Sequence, residues 1–322
     1  MADEGAADVS GLFTGEWSEP EEVAYTPRDL LLYAVGIGCG QAGSARYADL
    51  RYVYEQELNF AAFPTYPFVL SQKGTTHDVD TRASSSSYLG LEPMTKGFSM
   101  LQGLPIRGTS VVGVDYERYC ERLRAIPPGG ARLLMRSRRY GVRQRRKGLV
   151  IESESELFGD DGTVFYRFIS ALFLIGGSGV RDAGQSAASD VAPPPRAPDH
   201  VDEIRVGDQQ HAIYRLSGDY NPLHIDPDFC GVKFGGFPEP ILHGLCTLGH
   251  AARMVLRTCG DNDPDRFRTM KVRFSSPVLP GQTLTTEMWC EGPRVIFLTR
   301  VKETGTTVIN NAFLELHPPS RL

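Results

Sequence analysis

Across positions 242–259 the apolar residues Leu242, Leu245, Leu248, Ala252, Val255 and Cys259 recur every three or four places. That spacing predicts one long helix over about 243–257. Four strand-like segments follow it. Met270, Val272 and Phe274 alternate with Lys271, Arg273 and Ser275. Leu284, Thr286 and Met288 repeat the pattern, and stretches 295–301 and 308–316 complete it between Gly-Pro and Glu-Thr-Gly turns. A long helix followed by a run of antiparallel strands defines an α+β class, with the sheet wrapped on the helix.

The first half has a similar plan. Thr26-Pro27 reads as a helix start, with Leu30, Tyr33, Ala34 and Ile37 on one face and Gly38 to Gly40 as its end. Stretch 74–96 is rich in Ser, Thr and Gly and reads as an exposed excursion. Segments 133–140, 149–155 and 163–174 read as strands, the last too apolar to be one-sided. Between the halves, 178–200 loses all hydrophobic period and stiffens at Pro193-Pro194-Pro195. The expected organisation is a first half at 1–177, a linker at 178–200, a second half at 201–317 and a tail at 318–322.

Composition narrows the function. A chain of 322 residues that is 41% hydrophobic and 23% charged suits one large or two ordinary globular domains. A net charge of −5 gives no bulk attraction to nucleic acid or an anionic membrane. The most apolar stretch, 165–177, contains Arg167 and is too short to span a bilayer. The acidic start Met-Ala-Asp-Glu-Gly lacks the basic and apolar regions of a signal peptide. Six scattered cysteines without Cys-x-x-Cys pairing read as reduced and mostly buried, in an intracellular compartment. No His, carboxylate or Cys set has metal-ligand spacing, so no metal is expected. Gly36-Ile-Gly-Cys-Gly40 follows a helix rather than a strand, which excludes a dinucleotide loop. Gly-x-Ser-x-Gly is absent, which argues against an α/β-hydrolase.

The run from Tyr214 to His224 (Tyr-Arg-Leu-Ser-Gly-Asp-Tyr-Asn-Pro-Leu-His) places Asp219, Asn221 and His224 at a helix-to-loop exit. Gly218 stops the helix, and Pro222 keeps Asn221 extended. An ionised carboxylate offers only acceptors, a neutral imidazole one donor and one acceptor, an amide both. Together they can grip a water molecule and move its proton. A lone Asp-x-Asn-Pro is an ordinary turn; with His224 behind it the string is far more specific.

That string resembles the hydratase 2 family, the MaoC-like (R)-specific 2-enoyl-CoA hydratases, a unit also found within multifunctional enzymes. Similarity continues through Ile225-Asp-Pro, Pro240-Ile-Leu-His-Gly-Leu-Cys-Thr247, Lys271-Val-Arg-Phe274 and Pro280 to Trp289, and more weakly over 23–178. The resemblance implies a double hot dog fold, two antiparallel sheets each wrapped on a long central helix. It implies hydration of trans-2-enoyl-CoA to (3R)-3-hydroxyacyl-CoA in peroxisomal fatty-acid β-oxidation by a stand-alone enzyme. The acyl tail is expected in the first half and the chemistry in the second. No organic cofactor is implied, because CoA belongs to the substrate, and a homodimer is.

Residue roles follow from the same resemblance. Asp219 and His224 bind the attacking water, which of them is base and which acid being open, and Asn221 orients the water or braces the loop. The backbone N–H of Gly244 receives the thioester enolate, where a helix N-terminus presents unpaired donors; close helix packing is the other reading of that glycine. Tyr220, Pro222, Leu223 and His243 are expected around the substrate, with Glu55, Val112, Gly113 and Lys147 from the first half. Phe274 lines the ligand site or simply faces the core. Ser217 is a turn residue and His250 a packed one. The basic run 136–147 is a solvated strand–turn–strand rim, a receiver of CoA phosphates through Arg forks and Lys147, or a nucleic-acid patch. Ser320-Arg321-Leu322 resembles a peroxisomal address read by the import receptor. The chain departs from the family at Val112, where His is usual, and in a longer loop at 230–239. A hot dog dehydratase or thioesterase, or a non-catalytic acyl-CoA-binding protein, are the alternative functions.

Overall fold

The structure, a computed structural model, describes residues 6–41, 47–75, 103–107, 112–186, 190–231 and 237–319, with the backbone alone at 112 and 113. Most of the excursion at 74–96, the centre of the 230–239 loop and the tripeptide 320–322 therefore lie outside the described residues.

The first half contributes strands β1 (Glu21–Tyr25), β2 (Val112–Arg122), β3 (Ala131–Arg145), β4 (Gly148–Phe158) and β5 (Val164–Ile175). The two-residue β6 (Ala183–Gly184) comes next. The second half adds β7 (His200–Arg205), β8 (Phe267–Phe274), β9 (Thr283–Glu291), β10 (Arg294–Val301) and β11 (Thr307–Leu316). Read outward from the centre, one half runs β2-β5-β4-β3-β1 and the other β8-β11-β10-β9-β7. The same order appears twice, although the two halves share no convincing sequence repeat. This is the double hot dog plan with one correction. The expected two sheets join edge to edge into one, because β2 pairs antiparallel with β8 from Glu117↔Arg273 to Glu121↔Thr269. Buried Glu117 stitches that seam, meeting the Lys271 ammonium at 3.0 Å and accepting from Arg273 Nε at 2.8 Å.

Among the described residues five helices carry the connections: α1 (Pro27–Gly36), α2 (Leu50–Val53), α3 (Leu70–Lys73), α4 (Gln210–Tyr214) and α5 (Gly244–Cys259). Helix α1 starts where Thr26-Pro27 predicts. The Asp29 carboxylate accepts from the Thr26 N–H at 2.7 Å and from its hydroxyl at 2.9 Å, a reciprocal use of the first turn's donors and acceptors. Among the described residues only the second half carries a helix of α5's length.

Helix α5 is buried on every side from Leu245 to Leu256. Its apolar stripe packs on the sheet, and each Leu or Val so buried contributes about 1.5–3 kcal/mol. Its opposite face carries Gly249, His250 and Arg253, which the period alone would place toward solvent. The first half covers them instead. A side-chain carbon at Gly249 would sit 2.3 Å from Ile37, and Arg253 pairs with the buried Asp49 at 2.5 Å. His250 is fully buried and bonds the Cys246 carbonyl through Nδ1 at 2.9 Å, the packed role expected of it.

The linker is less bare than its composition predicts. Val180 is buried, β6 pairs with β3, and β7 begins at His200. Asp190 accepts from Arg273 at 2.9 Å. The cause is docking on a preformed edge, which needs backbone groups rather than a hydrophobic period.

Candidate active site

After α4 the chain makes one 3₁₀ turn, Arg215–Ser217, and reverses at Gly218 with φ +129°. A side-chain carbon there would lie 2.8 Å from the Cβ of Lys73 on α3, so glycine is needed both for its φ and for the close approach. The reversal presents Asp219. A second 3₁₀ turn, Pro222–His224, follows, capped by the Asn221 side-chain oxygen, which accepts from the Leu223 N–H at 3.0 Å. The Asn221 oxygen thus braces the loop, the second of the two roles open to it.

His224 is buried. Its Nδ1 lies 2.9 Å from the Ile241 carbonyl. A carbonyl can only accept, so Nδ1 carries the proton and Nε2 keeps its lone pair in the neutral ring. Asp219 accepts from the Asn221 N–H at 3.2 Å and from Gln72 Nε2 at 3.1 Å. Burial raises the Asp219 carboxyl above its ordinary value, and Asp115 adds to the rise. His224 and the two hydrogen bonds pull it back. An Asp219 oxygen, a His224 nitrogen and a His243 nitrogen all lie within 4.8 Å of one another. The carboxyl and the imidazole therefore face one small space.

His243 ties that space to α5. Its Nε2 lies 3.1 Å from the Asp219 main-chain carbonyl, and its ring stacks on His224 at 3.7 Å between centroids. Burial first, then the neighbouring His224, holds the His243 imidazole well below its ordinary value, so the ring stays neutral. The next residue, Gly244, opens α5 and has no intrahelical acceptor for its N–H. A side-chain carbon at Gly244 would have as its nearest neighbours the Phe274 ring at 3.6 Å and Asp115 Oδ2 at 3.7 Å, ordinary contact distances. Close packing demands glycine at Gly249 and does not at Gly244. Phe274 is half-buried against this helix start rather than deep in the core.

The other sequence-derived residues divide. Tyr220 is half-buried under the Arg215 guanidinium, 5.0 Å from its ring centre. Pro222 is half-buried, and Leu223 joins a small apolar cluster with Phe229 and Cys230. Ser217 is buried in its turn. Val112 and Gly113 open β2, three and two residues before Asp115, which reaches Gly244; the Val112 side chain is outside the described residues. Lys147 is exposed in the turn between β3 and β4. Its neighbour Gly148 shares a register row with Ile175 and Val112, placing the turn about 10 Å across the sheet from the start of β2.

Glu55 is not brought to this place. It is exposed just after α2, where Tyr52 donates to the Asn262 carbonyl at 2.8 Å, beyond the far end of α5. The 16 residues of α5 put about 24 Å between its two ends. The start of the basic run is neutralised. Arg136 pairs with Glu156 at 2.6 Å and Arg138 with Glu154 at 2.6 Å, while Arg145, Arg146 and Lys147 are left at the exposed turn.

Sequence reasoning missed Gln72, Asp115 and the Ile241 carbonyl. No local signal marks them, because each arrives from another element. It also found no metal-ligand set, whereas the fold assembles two trios among the described residues: Asp219, His224 and His243, and His200, Cys259 and Cys290. Spacing in sequence cannot reveal ligands that meet only on folding. Open cavities of about 580 Å³ beside Val35, Gly40 and Ile213, and about 250 Å³ beside Phe60, Arg122 and Pro264, include neither Asp219 nor His224.

A MaoC-like domain model matches residues 190–312, and the model of the multifunctional-enzyme hydratase 2 N-terminal domain matches 23–176. The peroxisomal enoyl-CoA hydratase 2 of Arabidopsis thaliana is 34% identical over 88% of this chain and 88% of its own. The peroxisomal multifunctional enzyme type 2 of Mus musculus is 38% identical over 92% of this chain and 37% of its own. A crystal structure of a MaoC-like dehydratase from Phytophthora capsici superposes with a TM-score of 0.82 at 33% identity, covering 96% and 99% of the two chains. A Mycobacterium tuberculosis protein described as a double hotdog fold shares the fold alone, at 13% identity and TM-score 0.54 over 97% and 98% of the chains. Sheet order and comparisons together define a MaoC-like protein of the double hot dog type. The chain belongs to the MaoC-like hydratase 2 family. It spans less than half the length of the multifunctional relatives from mouse, Drosophila melanogaster and Neurospora crassa.

Proposed function

We propose that this protein hydrates trans-2-enoyl-CoA to (3R)-3-hydroxyacyl-CoA in peroxisomal fatty-acid β-oxidation. The observation that carries the reading is the shared space between the Asp219 carboxyl and the His224 ring, next to the first N–H of α5. Water held there attacks C3 of the enoyl thioester and passes one proton to His224 Nε2, the nitrogen left as an acceptor. The displaced electrons move onto the thioester oxygen, where the Gly244 N–H and the helix dipole receive them. Asp219, whose carboxyl burial raises above its ordinary value, gives a proton to C2. His224 then returns a proton to Asp219, and the pair is reset with atoms balanced.

Names of relatives support the same compartment and substrate class. The finer reading adds phosphate contacts at Arg146 and Lys147, acyl-tail binding by the first half, a homodimer, and import through Ser320-Arg321-Leu322. No organic cofactor enters the scheme. Equilibrium lets the same site run the hydration backwards.

Purified protein incubated with crotonyl-CoA and decenoyl-CoA tests the proposal. Loss of enoyl absorbance with a (3R) product is the expected result. Free CoA would identify a thioesterase, and binding without turnover an acyl-CoA carrier. A tagged chain lacking residues 320–322 is expected to stay in the cytosol; unchanged import would reject the address.

A further inference from the structure

At the other end of α5, remote from Gly244, three soft ligands meet. His200 begins β7, Cys259 ends α5 and Cys290 lies near the end of β9. In register, His200 stands opposite Met288, and Cys290 is two residues further along β9, so both point to the sheet face that carries α5. A His200 nitrogen and the two thiol sulfurs lie within 4.8 Å of one another. The sulfurs are 3.9 Å apart.

That separation is informative. Zinc binds thiolates at about 2.3 Å in tetrahedral geometry, which sets two ligand sulfurs about 3.8 Å apart. A disulfide needs about 2.05 Å, so the thiols stand where a shared ion would hold them and well short of a covalent bond. Met288 Sδ lies 3.8 Å behind Cys259 Sγ, which adds a polarisable wall. The negative end of the α5 dipole favours a cation at this place. His200 and Cys290 are exposed and Cys259 half-buried, leaving an entry path and a fourth position for water. Imidazole plus thiolate is a donor set that selects zinc-group ions over hard cations such as magnesium or calcium.

We infer that His200, Cys259 and Cys290 form a Zn²⁺ site that clips β7 and β9 to the end of helix α5. Its role is structural, because it lies about one α5 length from the Gly244 N–H, and binding adds a clip to elements already joined by the β7–β9 ladder and by Asp202 to Arg257 and Thr258. Ions that bind the folded chain alone raise its stability by mass action.

Untagged, fully reduced protein titrated with Co²⁺, followed by Zn²⁺ competition, tests the site. One Co²⁺ per chain is expected, with a thiolate-to-cobalt charge-transfer band and tetrahedral visible bands that Zn²⁺ abolishes. The band must vanish in Cys290→Ser and weaken in His200→Ala, both exposed positions that leave folding intact. The trio at Asp219 has no thiolate and cannot produce it. Zn²⁺ is expected to raise the thermal midpoint of the unaltered chain and not that of Cys290→Ser. Cys290→Ser should keep its full hydratase turnover, so failure here is distinguishable from failure of the functional reading. Absence of the band in reduced protein, or its persistence in Cys290→Ser, overturns the inference.

Discussion

The Nε2–H of His243 meets the main-chain carbonyl of Asp219 at 3.1 Å. Helix α5 and the loop bearing the acid–base pair are thus set relative to each other by one side chain, which also stacks on His224. We expect His243→Ala to lower kcat about 10- to 100-fold, the scale of a small misplacement of reacting groups, with little change in KM. Steady-state kinetics on enoyl-CoA separates the two parameters. A change confined to KM would reduce His243 to a substrate contact.

Removing either member of the pair should be more severe. Asp219→Ala and His224→Ala are each expected to reduce turnover at least ~100-fold, the usual scale of general acid–base catalysis. The double variant should be scarcely worse than either single one, since the groups act as a unit. Multiplicative losses would mean that they act independently.

The fold was legible in the sequence where one face is buried and the other wet. Helix α5 and strands β8 to β11 follow from apolar period to within a few residues. Strand β2 was not legible. It reads Val-Gly-Val-Asp-Tyr-Glu-Arg-Tyr-Cys-Glu-Arg, with charges that taken alone call for water, yet Glu117 is matched across the seam by Lys271 and Arg273. Pairing in three dimensions hid the signal. The site divides the same way. Asp219, Asn221, His224, His243 and Gly244 cluster in two short motifs, whereas Gln72 and Asp115 reach the pocket only because α3 and β2 pack there. Glu55 shows the opposite failure, a plausible residue type carried to the wrong end of α5.

The exposed turn at Lys147 supplies a charge to the proposed CoA phosphates. Lys147→Ala is expected to raise KM about 3- to 10-fold with kcat unchanged, since a phosphate contact far from C3 strengthens ground state and transition state equally. The same variant should show no effect with a pantetheine thioester that lacks the nucleotide phosphates. An equal loss with both substrates would remove Lys147 from phosphate binding.

The central ion pair has a stability cost attached. Asp49 is fully buried, accepts from the Gly40 N–H at 3.0 Å and pairs with Arg253. Asp49→Ala leaves a buried guanidinium without its counter-charge, and we expect a loss of about 3–5 kcal/mol in denaturant unfolding. A loss below about 1 kcal/mol would mean that water reaches Arg253.

Two buried imidazoles set the acid limit of stability. Burial lowers His250 to about 4 and holds His243 well below its ordinary value. The unfolded chain titrates its histidines near 6.5, so between 6.5 and the folded values the unfolded state binds more protons. Stability from these groups is therefore complete above about pH 6.5 and falls as pH drops, by up to about 1.4 kcal/mol per unit for each ring. Asp219 works in the opposite sense: its raised carboxyl makes the folded state cheaper when protonated, so its penalty grows as pH rises through the folded value. Asp219→Asn should then unfold at a higher temperature than the unaltered chain at neutral pH while losing activity. His250→Asn should flatten the decline between pH 6.5 and 5. Thermal unfolding across that range measures both, and an identical decline in His250→Asn would assign the acid sensitivity elsewhere.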